Sequence, residues 1–151
     1  MIQRKQSIFL LLAALMSIVC LCMPLATIEF ERMGADGTVF NLMTRYVSGE
    51  VSYNTAPLFL FLVVSVPVAL FTIFKYNNRR LQMRLCNVCT LFCVLWYCYF
   101  IGFFAMTMVK SAAVHFNVAS VLPLLSLILY VMARKAIKAD DELVRSADRI
   151  R

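Results

Sequence analysis

The sequence predicts an all-α membrane protein: a four-transmembrane-helix antiparallel bundle with a small extracytoplasmic β-hairpin and a cytoplasmic C-terminal helix. Three observations predict it. Of 151 residues, 62% are hydrophobic and 15% are charged, against about 45–50% apolar and about 25% charged in an ordinary soluble domain. A water-soluble fold of this size lacks the interior to hide so much apolar surface, so the excess faces lipid. Polar residues also gather in short blocks between long apolar runs, and the basic residues concentrate at alternate breaks between those runs.

Crossing about 30 Å of hydrocarbon takes about 20 apolar residues in a helix. Four stretches meet that requirement: residues 7–28, 57–74, 85–109 and 111–133, none containing Lys, Arg, Asp or Glu. Backbone groups in lipid must be satisfied within their own segment, so runs of this length form helices. Pro57 suits the first turn of the second span, where a missing N–H costs nothing. Pro24, Pro67 and Pro123 lie within spans and predict kinks. Residues 1–28 also carry the basic start and apolar core of a signal peptide. Pro24, two residues before Ala26, fits a cleavage site poorly, and Val19 and Leu21 precede Cys20 and Cys22 where a lipoprotein needs a small residue. The first segment is therefore expected to remain as a helix, and the chain to form one membrane domain.

Orientation follows from the basic residues. Arg4 and Lys5 precede the first span, Lys75, Arg79, Arg80 and Arg84 fill the second loop, and Arg134, Lys135, Lys138, Arg145, Arg149 and Arg151 follow the last span. Twelve of the fifteen basic residues thus fall on one side, against Arg32, Arg45 and Lys110 on the other. The positive-inside rule places both termini in the cytoplasm. The net charge of +7 is explained by topology and by contact with anionic headgroups. No nucleic-acid-binding motif accompanies it, so nucleic acid is not an expected partner.

The outer loop spans residues 29–56. Thr27-Ile28-Glu29-Phe30-Glu31-Arg32 alternates like a strand, Gly34-Ala35-Asp36-Gly37 is turn chemistry, and Thr38-Val39-Phe40 resumes strand character, which reads as a hairpin. Val51-Ser52-Tyr53 adds a short third strand, and Tyr46 and Tyr53 suit the membrane interface. A lone hairpin is marginal in water, so it is expected to cap the helix ends. The tail, residues 134–151, reads as a helical continuation of the fourth span. Lys138 and Glu142, and Asp141 and Arg145, are spaced to pair along it, with Leu143, Ala147 and Ile150 as a thin apolar stripe.

Chemistry inside a membrane usually leaves an ionisable residue there, because burying one is costly; the four cores contain none. The only histidine, His115, falls near the outer end of the fourth span, beside Asn117, a candidate polar contact between helices. Cys86 and Cys89 have CxxC spacing, with Cys93 on the same face, as in small membrane thiol oxidases. They fall at the cytoplasmic end of the third span, where thiols stay reduced, so packing as a small apolar filler is the simpler reading. Trp96, Tyr97, Tyr99, Phe100, Phe103 and Phe104 read as packing and lipid contact. Ala13 and Ser17, four apart, would let another helix approach closely. No phosphate loop, nucleophile elbow, metal site or cofactor site is expected.

The opening Met1-Ile2-Gln3-Arg4-Lys5-Gln6-Ser7-Ile8-Phe9-Leu10-Leu11-Leu12-Ala13 and the closing Ala133-Arg134-Lys135-Ala136-Ile137-Lys138, with Asp141-Glu142-Leu143-Val144-Arg145-Ser146-Ala147-Asp148-Arg149-Ile150-Arg151, resemble those of four-helix membrane proteins from Bacteroidetes classed as domain of unknown function 4293. The resemblance covers essentially the whole chain. It implies an inner-membrane location in a Gram-negative cell and the retention of the first helix, and it brings no activity or catalytic residues. Both motif-rich ends are cytoplasmic by the charge argument. Arg4, Lys5, Arg79, Arg80, Arg84, Arg145, Arg149 and Arg151 are therefore the candidate contacts for a partner protein or anionic lipid. A non-enzymatic accessory or scaffold component of an envelope complex is the leading expectation. A small-molecule or lipid transporter acting as an oligomer is the first alternative, and a membrane thiol oxidoreductase the second. Claudin-like proteins share the layout of a bundle with an outer β cap, an analogy of shape alone.

Overall fold

In a computed structural model, residues 3–30, 36–75, 78–108 and 112–148 are described. They form helices α1 (Gln3–Cys22), α2 (Ala56–Phe74), α3 (Arg79–Met108) and α4 (Leu122–Asp148). Three helical stretches, Ala56–Phe74, Arg79–Thr107 and Val118–Val144, are long and apolar enough to cross a membrane, and the apolar part of α1, Gln6–Cys22, is shorter. This is the architecture of a membrane protein. Helix α1 packs on α4 and α2, and α3 packs on α2 and α4, so the four close into a bundle.

The prolines end or begin helices more often than they kink them. Pro24 disfavours helical backbone at the residue before it, and α1 stops at Cys22, with a last bond from Met23 N–H to the Val19 carbonyl (3.2 Å). Pro57 and Pro123 lie in the first turns of α2 and α4, where no N–H is needed. Of the three prolines expected to kink spans, only Pro67 lies inside a helix; Pro24 follows α1, and Pro123 helps start α4.

The β element is larger than a hairpin. Strands β1 (Ala26–Phe30), β2 (Gly37–Val39), β3 (Thr44–Tyr46), β4 (Val51–Ser52) and β5 (Ala112–Phe116) form one antiparallel sheet in the order β4-β3-β2-β1-β5. The β1–β2 hairpin is present, with Thr27 opposite Thr38, although part of its turn, residues 31–35, lies outside the described residues. The third strand expected at Val51 pairs with β3, a strand not anticipated. Their connection turns through Gly49 at φ +87°, a left-handed conformation that glycine adopts without a Cβ clash.

The fourth span differs most from expectation. Residues 112–116 are strand, Val118–Val121 is a 3₁₀ turn, and α4 starts only at Leu122. Ala112–Phe116 is apolar enough to read as helix, but β1 offers it a free edge along its full length, from Ala26 opposite Phe116 to Phe30 opposite Ala112. Pairing satisfies backbone groups that would otherwise be orphaned at a helix end. At the other end α4 runs unbroken to Asp148, so the tail continues the fourth helix as expected.

Two buried clusters fill the interior. One joins the sheet to the bundle through Leu25, Ile28, Val39, Leu58, Leu62, Trp96, Phe100 and Phe104. The other lies in the opposite half and holds Leu10, Ala13, Ala14, Ala69, the Cys86–Cys89–Cys93 face, Tyr130, Ala133 and Ile137. Large apolar side chains such as Leu11, Leu15, Leu60, Phe71, Ile101 and Ile128 point outward, as lipid-facing residues do.

Candidate functional site

The end of the bundle away from the sheet gathers the starts of α1 and α3 and the continuation of α4. Gln6 Nε2 donates to the Ala136 carbonyl (3.2 Å), and Gln82 Nε2 donates to the Thr72 carbonyl (2.9 Å). Both amides are buried, and they tie α1 to α4 and α3 to α2. Arg79 grips α4 twice, from Nη1 to the Asp140 carbonyl (3.0 Å) and from Nη2 to Asp140 Oδ2 (3.1 Å). That half-buried pair makes Arg79 a helix clamp rather than a free contact. Arg80 and Arg84 are exposed. Arg4, Lys5 and Arg145 lie on helical backbone at this same end, but their side chains, like Arg149 and Arg151 altogether, are outside the described residues. Lys138 pairs with Glu142 at 3.7 Å, and the partner expected for Asp141, Arg145, is among the undescribed side chains. Leu143 of the apolar stripe is exposed; Ala147 and Ile150 have no described side chain.

Between the two buried clusters runs a polar girdle. Ser17 Oγ donates to the Ala13 carbonyl (3.0 Å) and lies 3.2 Å from Ser126 Oγ, which also reaches the Ala13 carbonyl (3.1 Å). The Ala13–Ser17 pair is thus where α4 meets α1. Ser65 Oγ donates to the Leu62 carbonyl (2.8 Å), and Cys89 Sγ approaches the Ser65 carbonyl at 3.7 Å. The buried Tyr130 hydroxyl faces Ser17 and Ser65 without a well-formed hydrogen bond to a described residue. Cys86, Cys89 and Cys93 are free and fully buried against this girdle, packed as filler.

At the sheet end one side chain locks sheet to bundle. Asn41, fully buried, donates from Nδ2 to the Cys20 carbonyl (2.7 Å) and accepts at Oδ1 from Trp96 Nε1 (3.0 Å). Trp96 stacks on Phe100 with centroids 4.8 Å apart, and Phe116 of β5 meets the Phe104 ring. Asn117 is not a contact between helices. It follows β5, donating from its backbone N–H to the Leu25 carbonyl (2.9 Å) and from Nδ2 to the Pro24 carbonyl (3.4 Å). His115 lies on β5, exposed, 3.7 Å from Glu29 on β1, and belongs to the sheet rather than to a span.

A family model described as Domain of unknown function (DUF4293) matches residues 2–150. The chain belongs to this family. No curated protein matches it. The match covers bundle, sheet and basic end together. Among the described residues of this DUF4293 protein, no group of three or more His, Cys, Asp or Glu is placed to hold a metal ion. Two of its surface grooves lie along the helices. One, of about 470 Å³, lies over the sheet-side half of α3 beside Asn54 and Gly102. The other, of about 300 Å³, lies in the α3–α4 seam at Asn87 and Arg134. Gln6, Gln82, Asn41 and Asp140 were not legible as important, because their partners are distant in sequence; a buried polar side chain that needs a partner is identifiable only once burial is known.

Proposed function

We propose that the chain is an integral inner-membrane protein whose four helices all span, with both termini in the cytoplasm, and that it serves as a non-enzymatic accessory or scaffold component of an envelope complex. Helix α1 has 20 residues, about 30 Å at 1.5 Å per residue, which supports counting it as a span despite its shorter apolar core. The basic residues at the end opposite the sheet support cytoplasmic termini, and the lipid bilayer with anionic headgroups is the first partner. A membrane protein or a second copy is the other, and nucleic acid is none.

The observation that carries the scaffold reading is the fixed sheet. Asn41 and the outer buried cluster hold it rigidly on the helices, while its edges carry exposed apolar side chains, Val47, Val51 and Tyr53 beside β4 and Val118 after β5. An open edge with exposed apolar groups is a template for association. The transport alternative needs a polar passage between helices, whereas Ser17 and Ser126 contact each other directly at mid-depth. The thiol alternative needs accessible sulfur, and Cys86 and Cys89 are buried. The test is chemical crosslinking of the full chain in native membranes followed by mass spectrometry. Crosslinks from Val47, Val51 or Tyr53 variants carrying a photoreactive residue to a recurring envelope protein are expected. Crosslinks to lipid alone would sink the reading.

A further inference from the structure

The groove in the seam between α3 and α4 is graded along its length. On α3, Asn87, Leu91 and Val94 stand at spacings that place them on one face of a helix, with Thr90 beside them. On α4, Val131 and Arg134 face them. Because the helices run in opposite directions, Asn87 and Arg134 sit together toward the basic end, and Leu91, Val94 and Val131 lie deeper in the bundle. Leu91 and Val94 are exposed outward, at lipid level. Arg134 immediately follows the apolar run that ends at Ala133, the depth at which headgroups begin.

What distinguishes this groove from ordinary lipid-facing surface is two polar groups that the described residues leave unused. Arg79 is satisfied by Asp140, and Lys138 by Glu142. The Arg134 guanidinium and the Asn87 amide, both exposed, have no hydrogen bond or ion pair with any described residue. Thr90 is already committed, its hydroxyl donating to the Cys86 carbonyl (2.9 Å). Arg84, also exposed, stands one turn before Asn87 and adds a second positive charge. A guanidinium offers five donors in a planar fork that matches phosphate oxygens two at a time, and a basic pocket between membrane helices at the cytoplasmic side suits an anionic headgroup. The apolar remainder of the groove has no use for a free ion but suits an acyl chain.

We propose that the α3–α4 seam is a binding site for one anionic phospholipid: Arg134 takes the phosphate, Asn87 donates to the headgroup, and an acyl chain lies along Leu91, Val94 and Val131. The assignment to the inner leaflet rests on the orientation proposed above; the binding chemistry does not.

Native mass spectrometry of the full chain in detergent, titrated with phosphatidylglycerol and with phosphatidylcholine, tests it. The wild-type protein is expected to bind one phosphatidylglycerol about tenfold more tightly than phosphatidylcholine, whose choline cation offsets the phosphate charge that Arg134 attracts. Arg134→Ala should abolish that preference, and Val131→Trp should block binding of both lipids by filling the slot. Lys135→Ala, which removes the same charge one residue away from the groove, should leave the affinity within about twofold. Wild-type preference in Arg134→Ala, undiminished binding in Val131→Trp, or equal competition by glycerol phosphate would each overturn the site. So would a second copy of the chain covering the seam. Arg134 is exposed, so its variant is expected to fold, and an unchanged melting temperature confirms that a loss of binding is local. Failure of the four-span orientation would appear in accessibility labelling and leave these affinities untouched, so the two ideas fail separately.

Discussion

Asn41 illustrates how much one side chain can decide at the residue scale. Its amide bridges the Cys20 carbonyl at the end of α1 and the Trp96 indole on α3, so helix, helix and sheet share one buried polar joint. Replacing it with leucine leaves the Trp96 N–H buried without an acceptor, a loss of about 1–3 kcal/mol. Denaturant unfolding of Asn41→Leu in detergent is therefore expected to show a lower midpoint. Trp96 is the single tryptophan, and its emission reports the joint directly. A midpoint and spectrum equal to wild type would mean that the sheet is held by apolar packing alone. The sequence offers no hint of this role: Asn41 sits in an ordinary loop, and its partners are 21 and 55 residues away. Ala13 and Ser17 were legible by contrast, because small residues four apart are a local signal for close helix approach.

At the element scale, α2, the core of α3 and the α4 continuation were readable from the chain, since long apolar runs bounded by charge have one outcome in lipid. The strand β5 was not. Ala-Ala-Val-His-Phe is a short apolar run, and hydrophobic pattern alone does not separate strand from helix in such a run; what decides is the free edge of β1, supplied by a segment more than eighty residues earlier. With α1 stopped at Cys22 ahead of Pro24, the same long-range pairing takes Ala26–Phe30 into the sheet. Thr27 and His115 are directly opposed in that pairing, and opposed residues of an antiparallel pair bring their Cα atoms to about 4.5–5.5 Å, within disulfide reach. In a background with the exposed Cys22 and Cys98 replaced by serine, Thr27→Cys with His115→Cys is expected to oxidise to an internal disulfide, seen as a mass loss of two hydrogens and a faster gel band. Absence of that bond under mild oxidant would restore the continuous helix from residue 111.

For the whole molecule the decisive quantity is sidedness, and it hinges on α1, the helix with the shortest apolar core. The bundle couples that question to the other three helices. Gln6 is bonded to Ala136 at the basic end, and Ser17 meets Ser126 at mid-depth, so α1 and α4 run side by side and antiparallel from one end to the other. If α4 crosses the bilayer, α1 crosses with it, since its carbonyls and outward leucines lie at the same depths. The start of α1 and the end of α4 then emerge beside Arg80 and Arg84, and the β3–β4 turn emerges on the opposite side. In the same serine background, Gln3→Cys and Arg80→Cys are expected to react with a membrane-impermeant maleimide only after the membrane is opened. The exposed Glu50→Cys should react in intact spheroplasts. Charge predicts that polarity, because moving twelve basic residues to the outer face would set them against the positive-inside bias at three separate segments. Reaction of Gln3→Cys from outside while Arg80→Cys stays protected would take α1 out of the membrane. The interlocking of Gln6 with α4 would then have to be broken as well, which makes the labelling pattern a test of the packing and of the topology together.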